Sequence, residues 1–390
     1  MIKPAIVAVG YNRPDSMYRL LTSIANVRFP FEDITLIVSI DQSDKSDDVE
    51  AVAEGVPWNH GKKVIRRFSE RQGLRKHVLQ CGDLSNEYGA VIILEDDLVV
   101  SPSFYQYTLE AVNFYKDEPS LAGIALYSHR WNGYANLQFI PMRNEYDAYF
   151  GQYSITWGQC WTKKQWQEFK TWYSEHQDKL PDENKYMPKG ILQWSKQSWG
   201  KYFVSYIVEM NLFYLIPYVS LTTNFTDVGQ HNDHADSSHQ VPLMEGLKTG
   251  YRFPQEAESI KYDVFFERIF NDQMIPGISG NNVCVNLNLT KLTTYGKEYL
   301  LTTTELPMEK MASYAMAMHP IDANVVHDIS GNDIFLYKCG QTELDLNEDR
   351  LLEKRLNYEM YGYYWKSLFV EGQKRFCRAL KRKFASCRKK

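Results

Sequence analysis

The sequence lacks several patterns that identify common protein classes. It contains no run of about eighteen uninterrupted apolar residues, so it predicts no transmembrane helix. The N-terminus leads directly into a strand pattern and shows no apolar signal-peptide core. Neither a GxGxxG fingerprint nor a Walker-type phosphate loop is present, which argues against dinucleotide enzymes and P-loop nucleotidases.

Cysteine is scarce and scattered along the chain. The six cysteines form no CxxC pair, which argues against a zinc site or a disulfide framework and fits a reducing compartment. We therefore expect a cytoplasmic protein. Aromatic residues are abundant by contrast: 27 Tyr, 19 Phe and 9 Trp are enough to fill a core and also to stack on sugar rings.

Charge is distributed unevenly. Residues 366–390 contain ten Lys/Arg and one acid, whereas the rest of the chain carries 34 basic and 47 acidic side chains. Apolar residues recur in this tail at helical spacing, so we predict a basic amphipathic helix over residues 351–390. Such a helix binds an anionic membrane surface, which would place the protein peripherally on the inner face of the cell membrane. A helix packed on its own domain and a nucleic-acid-binding arm are the alternatives.

The first 130 residues alternate between strand and helix patterns. Short apolar runs predict strands at 5–9, 34–40, 63–67, 90–94 and 121–126, and helical patterns cover 15–26, 71–84 and the residues after Pro102. This alternation predicts an α/β fold whose site lies at the carboxyl ends of the strands. Beyond residue 250 the patterns weaken, and we expect only a hairpin between 284 and 301 and a strand at 334–337.

Three consecutive carboxylates, Glu95, Asp96 and Asp97, follow the apolar run Val91–Leu94 directly. Like charges at the end of a buried strand repel, so we expect an opposite charge to compensate them. A divalent cation that also binds a diphosphate is one such compensation, because Mg²⁺ and Mn²⁺ prefer hard oxygen ligands. An acidic surface turn is the alternative.

Several of these segments, in the same order, resemble the GT-A glycosyltransferases. The resemblance is to the N-acetylglucosaminyltransferase I type (glycosyltransferase family 13) and to related bacterial polysaccharide glycosyltransferases. It covers roughly residues 4–235 and is carried by Asn12-Arg13 after the first strand, Ser39-Ile40-Asp41, His77, and Glu95-Asp96-Asp97-Leu98 with Pro102-Ser103-Phe104-Tyr105.

The resemblance implies a GT-A fold, a mixed Rossmann-like sheet flanked by helices, and a role for each matching residue. Asp97 would be the direct ligand of Mn²⁺ or Mg²⁺. The nucleotide and donor sugar would contact the remaining matched residues, which are Arg13, Asp41, His77, Glu95, Asp96, Trp157 and Gly158. Arg66, Arg67, Arg71, Arg75 and Lys76 face either phosphate or solvent, and the sequence leaves both interpretations open.

One departure from the family concerns the catalytic base. The family places an Asp just after the Trp that aligns with Trp199, but Gly200, Lys201 and Tyr202 stand here. An inverting transfer needs a carboxylate or His to accept the proton of the acceptor hydroxyl. Asp227 and His231, in a polar loop expected to close over the ligand, are the first candidates.

We therefore predict a metal-dependent, inverting glycosyltransferase that moves a sugar such as GlcNAc from a UDP-sugar to a saccharide or lipid-linked saccharide acceptor, in the synthesis of a bacterial surface polysaccharide such as capsule. A carbohydrate- or membrane-binding homologue with impaired catalysis and a nucleotidyltransferase are the alternatives. Residues 1–250 would form the catalytic domain, with 1–130 on the nucleotide side and 131–250 on the acceptor and lid side. Residues 251–350 would form an α+β extension.

Overall fold

The structure, a computed structural model, describes residues 1–153, 155–177, 186–225, 227, 237 and 239–340, and ten further positions between 355 and 377. The chain forms two compact units, residues 1–344 and 345–390. The predicted basic helix lies mostly outside the described residues. No helix in the part of the chain that the structure describes is long and apolar enough to cross a membrane.

The described residues of the first unit form short strands and nine α-helices. The strands are β1 (Ala5–Gly10), β2 (Leu36–Ile40), β3 (Lys63–Arg67), β4 (Ala90–Glu95), β5 (Leu98–Val100), β6 (Leu121–Ala125), β7 (Trp131–Asn132), β8 (Leu137–Gln138), β9 (Ala148–Gly151), β10 (Gln159–Thr162), β11 (Phe213–Pro217), β12 (Thr222–Asn224), β13 (Lys261–Tyr262), β14 (Val283–Asn286), β15 (Tyr299–Thr302), β16 (Glu309–Tyr314) and β17 (Ile334–Lys338). The helices are α1 (Pro14–Ala25), α2 (Ser46–Gly55), α3 (Leu74–Gly82), α4 (Ser85–Tyr88), α5 (Phe104–Phe114), α6 (Lys163–His176), α7 (Lys189–Leu192), α8 (Trp199–Glu209) and α9 (Ala323–Val326).

Nine strands form one mixed sheet in the order β13-β9-β11-β6-β10-β4-β1-β2-β3. Strands β3, β2, β1 and β4 are parallel neighbours, whereas β10 runs antiparallel between β4 and β6. Helices cover both faces, so the predicted α/β fold, a large mixed sheet flanked by helices, is confirmed. The predicted boundary at residue 250 stays a prediction, although the edge strand β13 lies beyond it.

The central strands are apolar throughout because both of their faces are buried. In β1, Ile6 and Ala8 point into one core, while Val7 and Val9 point into the other. The first core is covered by α1, α2 and α5, and the second by α3, α6 and α8. Burial on both sides fixes where each strand ends and therefore where the side chains after it emerge.

A separate sheet, in the order β14-β15-β17-β16, lies beyond the main one. The hairpin predicted between residues 284 and 301 is wrong, because β14 and β15 are parallel, with Val283 opposite Tyr299. Strand β15 takes β17 as its antiparallel partner instead. The apolar runs were recognisable in the sequence, but the pairing depends on a strand that lies more than 30 residues further along the chain.

Candidate active site

The carboxyl ends of β1, β2 and β4 meet at one edge of the main sheet. Gly10 lies opposite Ile40, and Val9 lies opposite Glu95. This register brings the loop that contains Arg13, the residue Asp41 and the acidic triplet to the same edge. The antiparallel strand β10 begins at this edge, since Gln159 lies opposite Ile93.

Arg13 neutralises part of the acidic triplet. Its Nη2 donates to Asp96 Oδ1 and lies 3.5 Å from Asp97 Oδ2. Burial raises the pKa of Asp96 to about 6, although the nearby guanidinium opposes that increase. The compensation that the sequence led us to expect from a cation therefore comes partly from the protein itself.

The other two acids are less fully compensated than Asp96. Burial, together with Asp97 and Asp96, raises the pKa of Glu95 to about 8, and the Trp199 side chain is hydrogen-bonded to Glu95. Burial also raises the pKa of Asp97. The Oδ1 atom of Asp97 is buried and has no hydrogen-bond partner among the described residues. A buried carboxylate oxygen without a partner is a suitable ligand for a hard divalent cation.

Asp41 is buried, and its oxygens are already bonded to backbone. It accepts hydrogen bonds from the backbone N–H groups of Gln42 at 2.9 Å, Gln72 at 2.7 Å and Gly73 at 2.9 Å. Asp41 thereby holds the loop before α3 against the end of β2. The backbone of this loop, rather than a free carboxylate, faces the edge of the site.

His77 is also buried, at 3% exposure, and its Nε2 lies 2.7 Å from Ser39 Oγ. Burial lowers the pKa of His77 to about 4, so the imidazole is neutral near pH 7. Together with Asp41 it lies beneath the carboxyl edge of the sheet. The contacts of Asp41 with the loop before α3 and of His77 with Ser39 could not be predicted from the sequence, because these residues become neighbours only when the sheet forms.

The basic cluster before and within α3 divides between several partners. Arg67 pairs with Asp47 and Glu50 at the surface, at 2.5 Å and 2.7 Å. The Arg71 guanidinium lies 4.1 Å from the ring centroid of Tyr11, which directly follows β1. This arginine–aromatic pair at the sheet edge was missed in the sequence, where the two residues are 60 positions apart.

Trp157 and Gly158 lie just before β10, beside the triplet. The β10–β4 pairing begins at Gln159, which lies opposite Ile93, two residues before Glu95. Gly158 has a φ of +98°, and a Cβ there would lie 2.8 Å from Thr222 Cγ2. Glycine is therefore required at this position, and the Thr222 hydroxyl donates to the Trp157 carbonyl.

An aromatic cluster that sequence reasoning missed surrounds Trp157. The ring of His239 stacks on it at 4.9 Å, and the ring of Tyr127 lies at 4.8 Å. His129 packs between Tyr127 and Tyr153 at 5.0 Å and 5.6 Å, and burial lowers the pKa of His129 to about 3. No sequence pattern joins these residues, which come from separate loops.

Asp227 is anchored to α1. It accepts a hydrogen bond from Ser16 Oγ at 2.6 Å and pairs with Arg19, whose guanidinium also lies 3.8 Å from the Phe225 ring centroid. Although burial acts to raise it, these contacts lower the pKa of Asp227. A carboxylate held in this way is a weaker base. The other candidate base, His231, lies outside the described residues.

The position at which the resemblance implies a catalytic Asp is occupied by a cation that has a structural role. Lys201 is 2% exposed, and its Nζ donates to the carbonyls of Leu192 at 2.7 Å and Trp194 at 3.3 Å. It therefore secures the chain after α7. Next to it, Tyr202 accepts a hydrogen bond from Arg75 at 2.7 Å. Gly200, Lys201 and Tyr202 therefore provide no carboxylate or imidazole that could take the proton from the hydroxyl of the acceptor saccharide.

Comparison with solved structures gives distant similarities. TarS from S. aureus (residues 1–349) is 13% identical, with 56% of this chain and 59% of that one covered and a TM-score of 0.36. The same fragment in complex with UDP-GlcNAc is 14% identical, with 58% of this chain and 60% of that one covered and a TM-score of 0.36. A cytidylyltransferase from Leptospira borgpetersenii is 11% identical, with 54% of this chain and 96% of that one covered and a TM-score of 0.27. The chain thus covers less than two thirds of the TarS fragment. A comparison with curated proteins found no match.

Comparison with family models gives a match over residues 5–171, to the model described as Glycosyl transferase family 2. The matched segment runs from β1 into α6 and includes Arg13, Asp41, the acidic triplet and Trp157. The predicted closeness to the N-acetylglucosaminyltransferase I type is not confirmed, because the match is to a different family. The match covers less than half of the chain, and it supports a glycosyltransferase.

Proposed function

We propose that this protein is a glycosyltransferase that uses a divalent cation, Mn²⁺ or Mg²⁺, to transfer a sugar from a UDP-sugar to a saccharide acceptor. The observation that carries the proposal is the buried Asp97 Oδ1, which has no partner in the described part of the chain. It lies at the carboxyl edge of the sheet, beside the Arg13–Asp96 pair.

The residues present fit such a cation. Within the described ranges no three His, Cys, Asp or Glu side chains converge on one point. A cation held by Asp97 would therefore take its other ligands from substrate phosphates and water, which is how Mg²⁺ usually binds in nucleotide sites. Its charge would offset the negative charge that develops on the leaving diphosphate.

Several neighbours of Asp97 are proposed to hold the rest of the donor. Tyr11, backed by Arg71, offers an aromatic surface to the base, and the loop that Asp41 secures borders it. Glu95 and Asp96 are proposed to bind ribose and sugar hydroxyls. Trp157, two residues before the Gln159–Ile93 pair, is proposed to contact the donor sugar.

The chemistry needs a group that removes the proton of the acceptor hydroxyl, and we propose inversion at the anomeric carbon. Of the two candidate bases, His231 is preferred. Both oxygens of Asp227 contact Arg19, one also accepts from Ser16, and the pKa of Asp227 is lowered.

The finer assignments are proposals as well: GlcNAc as the donor sugar, a lipid-linked or other saccharide acceptor in bacterial surface polysaccharide synthesis such as capsule, and attachment to the inner face of the membrane through the basic tail. They are supported by the family resemblance and by the ten Lys/Arg of residues 366–390.

The test is calorimetric binding of UDP to the full chain with and without Mn²⁺. We expect Mn²⁺ to tighten UDP binding at least tenfold and Asp97→Asn to abolish that gain. Asp117→Asn, which changes an exposed acid on the same domain, serves as the control and should behave like the wild type. Equal affinity with and without Mn²⁺, together with an unaffected Asp97→Asn variant, would refute the proposal.

Turnover assays with a panel of UDP-sugars address the alternatives. Transfer or slow hydrolysis of one donor is the expected result. Metal-dependent UDP binding without turnover of any donor would favour the catalytically impaired homologue, and release of pyrophosphate from a nucleoside triphosphate would favour a nucleotidyltransferase.

A further inference from the structure

Three arginines surround Tyr218, which directly follows β11 on the acceptor side of the sheet. Arg130 Nη2 donates to the Tyr218 carbonyl at 3.4 Å. The Arg143 guanidinium lies 5.4 Å from the Tyr218 ring centroid. Burial raises the pKa of the Tyr218 hydroxyl, and the charges of Arg268 and Arg143 oppose that increase, so Arg268 is also nearby.

The positive charge of this group exceeds the negative charge next to it. Within the described part of the chain, neither Arg130 nor Arg143 forms an ion pair, and Arg143 is exposed. Asp322 acts on Arg268 and also accepts a hydrogen bond from the Tyr262 hydroxyl at 2.7 Å. One carboxylate thus offsets one of the three arginines and leaves the other two uncompensated.

Two buried nitrogen atoms of Arg268, Nε and Nη1, have no hydrogen-bond partner among the described residues. The hydroxyls nearby interact within the protein: Tyr149 with Ser128, and Tyr218 with the backbone of Asn144. The rings of Tyr149 and Tyr218 lie 5.0 Å apart, and Arg268 is 6% exposed. Buried donors in folded proteins nearly always have a partner, so the two free nitrogens of Arg268 point to a bound polar ligand.

A pocket of about 130 Å³ opens beside Tyr218. Its lining includes the cation Arg143 and three aromatic rings, those of Tyr146, Tyr218 and Tyr251. The other cation in the lining, Lys248, already pairs with Asp147 at 2.5 Å. Aromatic rings suit the faces of a sugar, and the free guanidinium suits an anionic substituent on it.

The pocket lies at the same sheet edge as the donor site, along the strands of the acceptor half. Ser128 N donates to Ser220 Oγ at 3.0 Å, which ties the loop after β6 to the loop after β11. Arg130 follows His129, whose ring lies 5.9 Å from that of Trp157. Arg130 is therefore near the sugar end of the proposed donor site.

We propose that Arg130, Arg143 and Tyr218 bind an anionic group, phosphate or carboxylate, on the acceptor saccharide. This inference rests on the proposed function, since it assumes that the acceptor reaches the donor sugar from the β11 side. Guanidinium groups form paired hydrogen bonds with both anions, and a neutral saccharide would leave the two arginines uncompensated.

The test uses the full chain and three probes: glycerol 1-phosphate, glucuronate and neutral glucose. Ligand-observed NMR gives the dissociation constant of each for the wild type, Arg130→Gln, Arg143→Gln and the double variant. We expect at least one anionic probe to bind more tightly than glucose and to bind at least tenfold more weakly to the double variant. The probe that shows this effect identifies the anion as phosphate or carboxylate.

Two further variants separate specific recognition from general charge. Arg28→Gln removes an exposed arginine after α1 and should leave binding of both anionic probes unchanged. Tyr218→Phe keeps the ring and removes the hydroxyl, and we expect a loss of about threefold or more. Equal binding of all three probes, absence of anionic probe binding, or equal losses in Arg28→Gln and the double variant would each overturn the inference.

UDP affinity in the presence of Mn²⁺ distinguishes the two proposals. It should be unchanged in the double variant if the arginines bind the acceptor. If UDP affinity falls together with that of the anionic probes, the arginines belong to the donor site and the inference is wrong. If the wild type binds UDP equally well with and without Mn²⁺, the proposed function is refuted. The affinities of the anionic probes would still test the arginine pocket in that case.

Discussion

The donor and acceptor parts of the site edge carry opposite excess charge. At the end of β4, three consecutive carboxylates share the single guanidinium of Arg13. Around the end of β11, Arg130 and Arg143 have no ion pair in the part of the chain that the structure describes, and Arg268 shares Asp322 with Tyr262. One region is short of positive charge and the other is short of negative charge.

This difference in charge shows how one edge of a sheet can bind two substrates at separate places. Buried like charges such as those of the triplet are costly unless something compensates them, and the two arginines near Tyr218 have no ion pair in the described part of the chain, so each region favours a ligand of the opposite sign. Under the two proposals, a cation and its diphosphate would complete the acidic region, and an anionic acceptor would complete the basic region. Each region also repels the other region's ligand, which adds selectivity.

Removing Arg13 should have the largest effect, because it takes away the only protein cation that contacts the triplet in the described residues. Asp96 would remain buried beside Asp97 without a partner. We expect Arg13→Met to lower the free energy of unfolding by about 3 kcal/mol, since breaking one side of a buried pair leaves an unpaired charge. Urea denaturation measured by circular dichroism checks this value.

Arg67→Met provides the control for this substitution. Arg67 also pairs with two acids, Asp47 and Glu50, but at the surface, where the pair is screened by solvent. Its denaturation midpoint should stay close to that of the wild type. Equal losses in the two variants would mean that the acidic region is not electrostatically special. Mn²⁺ with UDP should restore part of the stability lost in Arg13→Met.

The donor half was more predictable from the sequence than the acceptor half, for a physical reason. Strands β1, β2 and β4 are continuous apolar runs because both of their faces are buried, and their ends are marked by Arg13, Asp41 and Glu95. Parallel strands bring such ends together by topology alone. The convergence of these residues therefore follows from local patterns.

The acceptor half depends on pairings that no local pattern encodes. Strand β10 is only four residues long and inserts antiparallel between β4 and β6, which the alternating pattern did not predict. Arg130, Arg143 and Tyr218 belong to different loops and meet only after β6, β9 and β11 have paired. The contacts of Asp227 with α1 join residues more than 200 positions apart and were equally unpredictable.

The two candidate bases, Asp227 and His231, can be separated by substitution. We expect His231→Asn to lower kcat about 100-fold, equivalent to about 2.7 kcal/mol in the activation barrier. Asp227→Asn should lower kcat less than tenfold, because the amide still accepts a hydrogen bond from Ser16. Steady-state kinetics with the donor found in the panel gives both values. The opposite ranking would assign the base to Asp227 and show that its pairing with Arg19 opens during catalysis.

Beneath the donor half, His77 makes the stability of the fold depend on pH. Its pKa is near 6.5 in the unfolded chain and about 4 in the folded one, because burial disfavours the charged form. The unfolded state therefore binds more protons between these values, and stability falls as the pH decreases from 6.5 towards 4. At pH 5 the loss from this residue should be about 2 kcal/mol relative to pH 7.5.

Unfolding measured at both pH values in the wild type and His77→Gln isolates that contribution. The difference between the two proteins should change by about 2 kcal/mol over this range, in the direction that favours the variant at low pH. The exposed His327 provides the control, and His327→Gln should follow the wild-type profile. A His77→Gln profile parallel to that of the wild type would mean that the imidazole is protonated in the folded state.

The smallest effect is expected at Gly158, where the two halves join. Gly158→Ala places a Cβ 2.8 Å from Thr222 Cγ2 and forces a side-chain residue to adopt a φ of +98°. We expect a cost of about 1–2 kcal/mol in unfolding free energy and a rise in KM for the donor, because Trp157 must move with it. Gly277→Ala also has a positive φ, +77°, but meets no atom within 4 Å, so it reports the backbone cost alone. If both variants lose the same stability and keep the same donor KM, the contact with Thr222 does not position Trp157, and the aromatic cluster around Tyr127 and His239 must do so by itself.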